Sequence, residues 1–344
     1  MRIAMITDGA AAGRDSADLA AMLTRFGHEV VMHTAAPGQR AKDMVRSFTD
    51  QWRATPPAIV HCRSRIASDA AVTAARAASL PVVHSTRHDD DAPTGTFDRD
   101  IALRADRVIA SCTAELSELT AGKVPRQRIS VVPYGIDADH FTPDGGHPPI
   151  GHRYRLVAVG DLTPSAGFAT AVAALVGLPD TELIIAGEPK HGSHAKELRE
   201  YARRLGVADR LRMPGPVARS TLPSLLRSAH IVLCTPWRPR FGIAALEAAA
   251  CGVAVVANNT GGLTDTVVDG VTGLLVAPHQ PRTLAAAVWQ LLAQPIRREQ
   301  YGATGRDRAS SRYCWHQIAV ETLHAYSLVG ITDAVAAKAV SSRR

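Results

Sequence analysis

The stretch RFGIAALEAAACGVAVVANNTGGLTDTVVDGVTGLLV, Arg240 to Val276, decides the fold. It runs from a loop into an apolar helix, an apolar strand, a glycine pair, a short helix-like segment (Leu263–Val268), a turn and a second strand. That rhythm belongs to a parallel sheet covered by helices. Phe241-Gly242-Ile243 opens the helix directly after a loop, so its first backbone N–H groups and the positive end of its dipole point outward. Such a helix start suits a diphosphate. Glu247 stands four residues on, about one turn down the same helix. A carboxylate there is either a ligand acceptor or a solvated helix residue. Its neighbours Leu246, Ala248, Ala249 and Ala250 are apolar, which favours the first reading. Gly261-Gly262, after the strand, either admits a ligand close to the backbone or makes a turn. Gly270 and Gly273 read as turn glycines.

Working outward, the same alternation fills the chain. Short apolar runs stand at Ile3–Ile6, Val30–His33, Ile59–His61, Pro81–His84, Val108–Ala110 and Ile129–Val132. A second series stands at Leu156–Val159, Leu183–Ala186, Leu211–Met213, Ile231–Cys234, Val253–Ala257 and Leu274–Val276. Helix-like stretches such as Ala17–Arg25 and Ser68–Ala78 lie between them. Two such series predict two Rossmann-like α/β domains. Phe141–His152, FTPDGGHPPIGH, has three prolines and three glycines in twelve residues and reads as the linker. The expected division is 1–146, 147–312, a C-terminal helix over 313–330 and a flexible tail over 331–344. Trp315, Ile318, Ala319, Leu323 and Tyr326 fall at helical spacing in that helix.

The bulk composition narrows the class. With 344 residues and 46% apolar content, the chain has enough core for two soluble domains. No run reaches the roughly 18 apolar residues of a spanning helix. The opening MRIAMITDGAAAG is too short in apolar residues for a signal peptide and reads as a buried first strand. Five scattered cysteines show neither metal spacing nor a disulfide framework, which points to the cytoplasm. The net charge of +7 favours anionic partners: a phosphorylated ligand, or peripheral contact with an anionic membrane face. The basic residues form no stripe and no recognition motif, so nucleic acid is not expected as a partner.

The Arg240–Val276 stretch resembles the donor-site signature of the retaining GT-B glycosyltransferases of family 4. RADRVIASCTAELSEL (Arg104–Leu119), RISVVPYGIDADHFTPDG (Arg128–Gly145) and RLRMPGPVARSTLPSLLRSAHIVLCTPW (Arg210–Trp237) resemble further parts of that family. The likeness covers most of residues 104 to 315 and holds only in outline before that. It implies two Rossmann-like domains facing across a cleft, with the C-terminal helix crossing back onto the first domain. It implies a nucleotide-sugar donor as substrate, an acceptor that stays unnamed, and no cofactor or metal. Glu247 is then the acceptor for the donor ribose hydroxyls. Phe241, Gly242, Ile243, Gly261, Gly262 and Met213 line the nucleotide side, and Gly13 stands in the loop after the first strand.

The departures from the family are specific. Where the family has a Glu eight residues before the ribose Glu, this chain has Pro239. Where it has an Arg and a Lys that neutralise the leaving diphosphate, VAVGDLTPSAGF places Asp161 and Ala166. A carboxylate beside a diphosphate is repulsive. Where it has a His near the donor sugar, this chain has Arg87, with His88 beside it, and these are the candidate catalytic residues. Arg238 and Arg240, flanking Pro239, and Arg63, Arg65 and Arg87, after strand ends, are either relocated phosphate ligands or ordinary surface arginines. Among fourteen histidines none has metal-ligand spacing, and His88-Asp89-Asp90-Asp91 reads better as a solvated loop than as an ion site. Three functions stay open: an active retaining glycosyltransferase, an impaired GT-B protein that binds a nucleotide or partners an active glycosyltransferase, and a phosphorylase-like transferase.

Overall fold

Apolar runs of three to six residues are too short for helices, and within each series a helical segment follows and returns the chain to the same edge. Only parallel pairing satisfies both facts. The computed structural model describes residues 1–7, 14–34, 39–64, 67–86, 99–187, 193–237 and 241–330. The chain divides into two compact units: Met1–Gly135 together with the segment from Trp315 onward, and Ile136–Cys314. The expected flexible tail, 331–344, lies outside the described residues.

The first unit contains β1 (Arg2–Thr7), α1 (Arg14–Arg25), β2 (Glu29–Thr34), α2 (Ala41–Ala54), β3 (Ile59–Arg63), α3 (Ser68–Ala77), β4 (Val82–Ser85), α4 (Arg99–Arg104), β5 (Arg107–Ala110), α5 (Thr113–Ala121) and β6 (Ile129–Val131). The second contains β7 (Tyr154–Val159), α6 (Phe168–Ala174), β8 (Thr181–Ala186), α7 (Ser193–Arg204), β9 (Leu211–Gly215), α8 (Leu222–Arg227), β10 (Ile231–Cys234), α9 (Ile243–Ala250), β11 (Val255–Asn258), α10 (Leu263–Thr266), β12 (Gly273–Val276), α11 (Pro281–Leu292) and α12 (Pro295–Arg312). The last helix, α13 (Trp315–Ser327), belongs to the first unit. Each unit holds one six-stranded sheet, ordered β2-β1-β3-β4-β5-β6 and β12-β11-β10-β7-β8-β9. All ten strand pairings among the described residues are parallel.

Burial follows position in the sheet. The inner strands β3, β4, β5, β8 and β10 are buried at every residue, as expected where helices cover both faces. The edge strands β2 and β9 alternate instead. One face of the first sheet carries α2, whose Met44, Phe48 and Trp52 recur every four residues and fill the core. The other face carries α1 and α13, which contribute Leu19, Leu23, Ile318, Ala319, Leu323 and Tyr326. Trp315 packs so closely beneath Gly135 that a Cβ there would come within 2.4 Å of its indole. His61, fully buried in β3, joins Tyr326 and Ser85 through its two ring nitrogens at 2.7 Å each. Burial, then the charges of Arg63 and His84, hold its pKa well below 6.5, so the ring stays neutral.

The proline- and glycine-rich stretch Phe141–His152 packs with the second unit, and the units divide ahead of it at Gly135/Ile136. It lacks helix and strand, and arginines satisfy its carbonyls. Arg306 donates to Phe141 O at 2.8 Å, Arg227 to Thr142 O at 3.0 Å and Arg155 to Pro149 O at 2.7 Å. Arg155 is itself buried on β7 and pairs with Glu182 on β8 at 2.7 Å, their side chains 3% and 0% exposed. Arg212 adds an ion pair to the other Glu182 oxygen at 3.0 Å. Removing one partner of a buried pair leaves an uncompensated charge. Glu182→Ala should therefore cost about 3–5 kcal/mol in urea unfolding. Arg104→Ala, which breaks the exposed pair with Asp69, should cost less than about 1 kcal/mol.

Candidate functional site

The second sheet reverses its winding between β7 and β10. From β7 the chain proceeds to β8 and β9 on one flank, then crosses to β10, β11 and β12 on the other. In open α/β sheets a ligand sits outside the carboxyl ends of the strands at such a reversal. The segments that converge there are the loop after β7, the loop after β10 with the start of α9, and the turn after β11.

These segments are knitted together through backbone groups. The Trp237 amide donates to Ser165 O at 2.9 Å, and the Thr235 hydroxyl donates to Ala166 O at 3.3 Å. Asn258, at the end of β11, donates through Nδ2 to Thr235 O at 2.6 Å and Pro236 O at 3.0 Å. Gly167 has φ +70°, and a Cβ there would lie 2.0 Å from Thr235 O, so glycine is required for this approach. Asp161 is exposed on the loop, while Ala166 is partly buried against the core.

Helix α9 begins at the same edge. Gly242 has φ +92°, and a Cβ would meet Leu263 Cδ2 at 2.7 Å. The Ala245 and Leu246 amides turn back to Gly242 O. The Ile243 and Ala244 amides precede that first intrahelical donor and make no backbone bond among the described residues, as suits an anion. Ile243 is 43% exposed, whereas the Phe241 ring is buried edge-on against Tyr313, with centroids 6.0 Å apart. Phe241 therefore anchors the helix start by packing, leaving ligand contact to the backbone.

Glu247 is only 5% exposed, and its Oε1 accepts a hydrogen bond from Arg219 Nη1 at 2.6 Å. Arg219 leans over the Phe141 ring at 4.7 Å, and its carbonyl accepts from His140 Nε2 at 2.9 Å. Arg219 is the residue that sequence reasoning missed. It stands 28 residues before Glu247, in the loop after β9, and no local periodicity links the two.

The structure thus brings Phe241, Gly242, Ile243 and Glu247 onto one helix start. Gly261, with φ +53°, and Gly262 form the turn into α10, where the Thr264 hydroxyl donates to Gly261 O at 2.8 Å. Met213 points inward from β9 and fills the core of the second unit. Arg63 corrects the reading of a relocated phosphate ligand: it is 8% exposed and spoken for by Asp15 at 2.7 Å and Ser16 at 3.0 Å. The recess beside it, about 20 Å³, has room for roughly one water. Gly13, Arg65, Arg87, His88, Asp89, Asp90, Asp91, Arg238, Pro239 and Arg240 lie outside the described residues. Burial, then the charge of Glu247, pushes the Cys234 thiol up to about 12, and burial does the same for Cys251. Neither is a thiolate nucleophile near neutral pH.

The family model described as "Glycosyl transferases group 1" matches residues 147–308, and the "Glycosyltransferase Family 4" model matches 40–140. A D-inositol 3-phosphate glycosyltransferase 2 of Catenulispora acidiphila is 35% identical over 267 residues, 70% of this chain and 60% of that protein. A glycogen synthase of Mycobacterium tuberculosis is 31% identical over 324 residues, 88% of this chain and 76% of that protein. The chain belongs to the group 1 glycosyltransferase family. Its GT-B fold matches that of Anabaena HepE, solved in complex with UDP and glucose, at TM-score 0.78 and 20% identity, covering 95% of this chain and 99% of that one. Among the described residues of this family member, no helix is long and apolar enough to cross a membrane. Replacing Gly242 by Ala places a Cβ on a left-handed backbone and against Leu263. The substitution should destabilise the protein by about 1–3 kcal/mol in thermal unfolding.

Proposed function

We propose that this chain transfers a glycosyl group from a nucleoside-diphosphate sugar to an acceptor with retention of configuration. The observation that carries the reading is the start of α9, where the Ile243 and Ala244 amides precede the first intrahelical donor and a buried carboxylate follows one turn on, at the winding reversal of the second sheet. The relatives' names and the UDP and glucose held by HepE support a nucleotide-sugar donor. The Ile243 and Ala244 amides take the diphosphate. The Glu247 carboxylate takes the ribose diol, since a carboxylate is a charged acceptor for a pair of hydroxyls. The donor is a substrate, and the reading invokes neither cofactor nor metal. It places the chain in the cytoplasm, where free thiols persist.

A second reading, an impaired protein that binds the nucleotide or partners an active glycosyltransferase, is favoured by Asp161 and Ala166. They put a negative charge and a methyl group on a loop where a leaving diphosphate needs positive charge. Transfer and hydrolysis assays with UDP-, GDP- and ADP-sugars, together with calorimetry of the nucleotides, separate the two. Turnover supports transfer, binding alone supports the second reading, and the absence of both overturns the donor site.

Glu247→Ala should weaken nucleoside diphosphate binding by about 1.5–3 kcal/mol, with circular dichroism confirming the fold. Asp161→Arg combined with Ala166→Lys should strengthen diphosphate binding while leaving nucleoside affinity nearly unchanged. If the increment from nucleoside to diphosphate stays the same, these side chains do not reach the phosphates.

A further inference from the structure

The second unit holds another recess, on the opposite edge of its sheet. Ala229 and His230 lead into β10, Val253 and Ala254 lead into β11, and Cys251 and Gly252 close α9. It therefore opens at the amino ends of the strands. The four residues of β10 put about 13 Å between it and the start of α9. Its volume is about 250 Å³. At about 30 Å³ per water, that is roughly eight waters, enough for a phosphate group with a few carbons.

The lining is positive. Arg227, Arg298, His147 and His230 face a single carboxylate, the exposed Glu299. Three backbone contacts fix Arg227, through Thr142 O and twice through Gly146 O. Arg298 makes no side-chain hydrogen bond or ion pair among the described residues. His230 Nδ1 accepts the Arg155 amide N–H at 3.1 Å, so its neutral ring carries the proton on Nε2 and offers a donor. Burial, then Arg298, Arg155 and His147, hold the His230 pKa below 6.5. The Arg298 charge, a lesser cause of that shift than burial, is the part that attracts an anion.

The negative end of α9 does not oppose this, because its last carbonyls are already taken. Glu247 O, Ala248 O and Ala249 O accept the amides of Cys251, Val253 and Gly252, and Ala250 O accepts Arg306 Nη1 at 3.0 Å.

We propose that this recess binds a small phosphomonoester, held by Arg298, His230 and the pre-set Arg227. The ligand seats against the carboxyl end of α9, whose other end forms the donor-side site. The proposal does not rest on the nucleotide reading.

The test is calorimetry of inorganic phosphate and glycerol phosphate on the full chain, in wild type and in two charge variants of α12. Arg298→Gln should weaken phosphate binding about tenfold or more, as for the loss of one charge-assisted hydrogen bond. Glu299→Gln should strengthen it about twofold to fivefold by removing the nearby carboxylate. Both side chains are at least partly exposed on a helix, so thermal unfolding should be near wild type in each. Unchanged phosphate affinity in both folded variants overturns the proposal. So does binding seen only with vesicles of anionic phospholipid and absent with free phosphate. Glycerol phosphate binding at or above the affinity of inorganic phosphate, lost in Arg298→Gln, supports an organic phosphomonoester as the ligand.

Discussion

Parallel strands cannot be joined by tight turns, and this constraint governs both units. Each strand in the two sheets is paired parallel, so the chain must cross over a face before it re-enters. All strands of a sheet consequently end on one edge, and the loops leaving that edge are free of the packing that fixes the helices. In the second unit the winding reverses between β7 and β10, which opens the edge at one point. The bonds from Asn258 to Thr235 O and Pro236 O, and from Trp237 N to Ser165 O, then hold three loops in register without any covalent tie. The site follows from topology first and from side chains second.

How much of this was legible in sequence depends on the range of the interaction. The strands of the described residues overlap apolar runs, most plainly the inner ones, because a strand covered on both faces is mostly apolar. The start of α9 was legible too, since Phe241-Gly242-Ile243 and Glu247 lie within about two turns of each other. The bond from Arg219 to Glu247 was not, because it joins a loop after one strand to a helix after the next. For the same reason, Arg63 looked free in sequence when Asp15, 48 residues earlier, neutralises it at 2.7 Å. The segment expected as helix over Leu263–Val268 stops at Thr266, where Val267 turns extended with φ −104° and ψ 122°.

The charge of +7 has a structural explanation that composition hides. Many arginines of the second unit cap carbonyls that no helix or strand can satisfy. Arg210 donates to Leu175 O, Leu178 O and Thr181 O, and Arg306 to Ala138 O, Phe141 O and Ala250 O. A buried carbonyl left alone costs free energy comparable to a lost hydrogen bond, so each guanidinium holds irregular backbone in place. Arginine suits this task because its planar fork reaches several acceptors at once. Such residues are dispersed by the positions of strand and helix ends, which is why they form no stripe. They carry positive charge that carbonyl dipoles only partly offset, and the recess beside Arg227 is one result.

Retention of scaffold and retention of chemistry separate cleanly at the loop after β7. Gly167 is held by packing alone: with a Cβ at 2.0 Å from Thr235 O, no other residue fits, whatever the protein does. Its presence is therefore no argument for catalysis, and the same holds for Gly242 against Leu263. Asp161 is exposed and free of that steric demand. Ala166 lies between the two cases. Its side chain packs partly on the core and its carbonyl accepts the Thr235 hydroxyl, so a longer residue there must leave the core contact to reach outward. On the proposed reading, an exposed carboxylate on this edge is thus the feature that bears most directly on whether a leaving diphosphate is stabilised. On that reading, positive charge for the role must come from elsewhere on the edge, and Arg219 already spends one donor on Glu247.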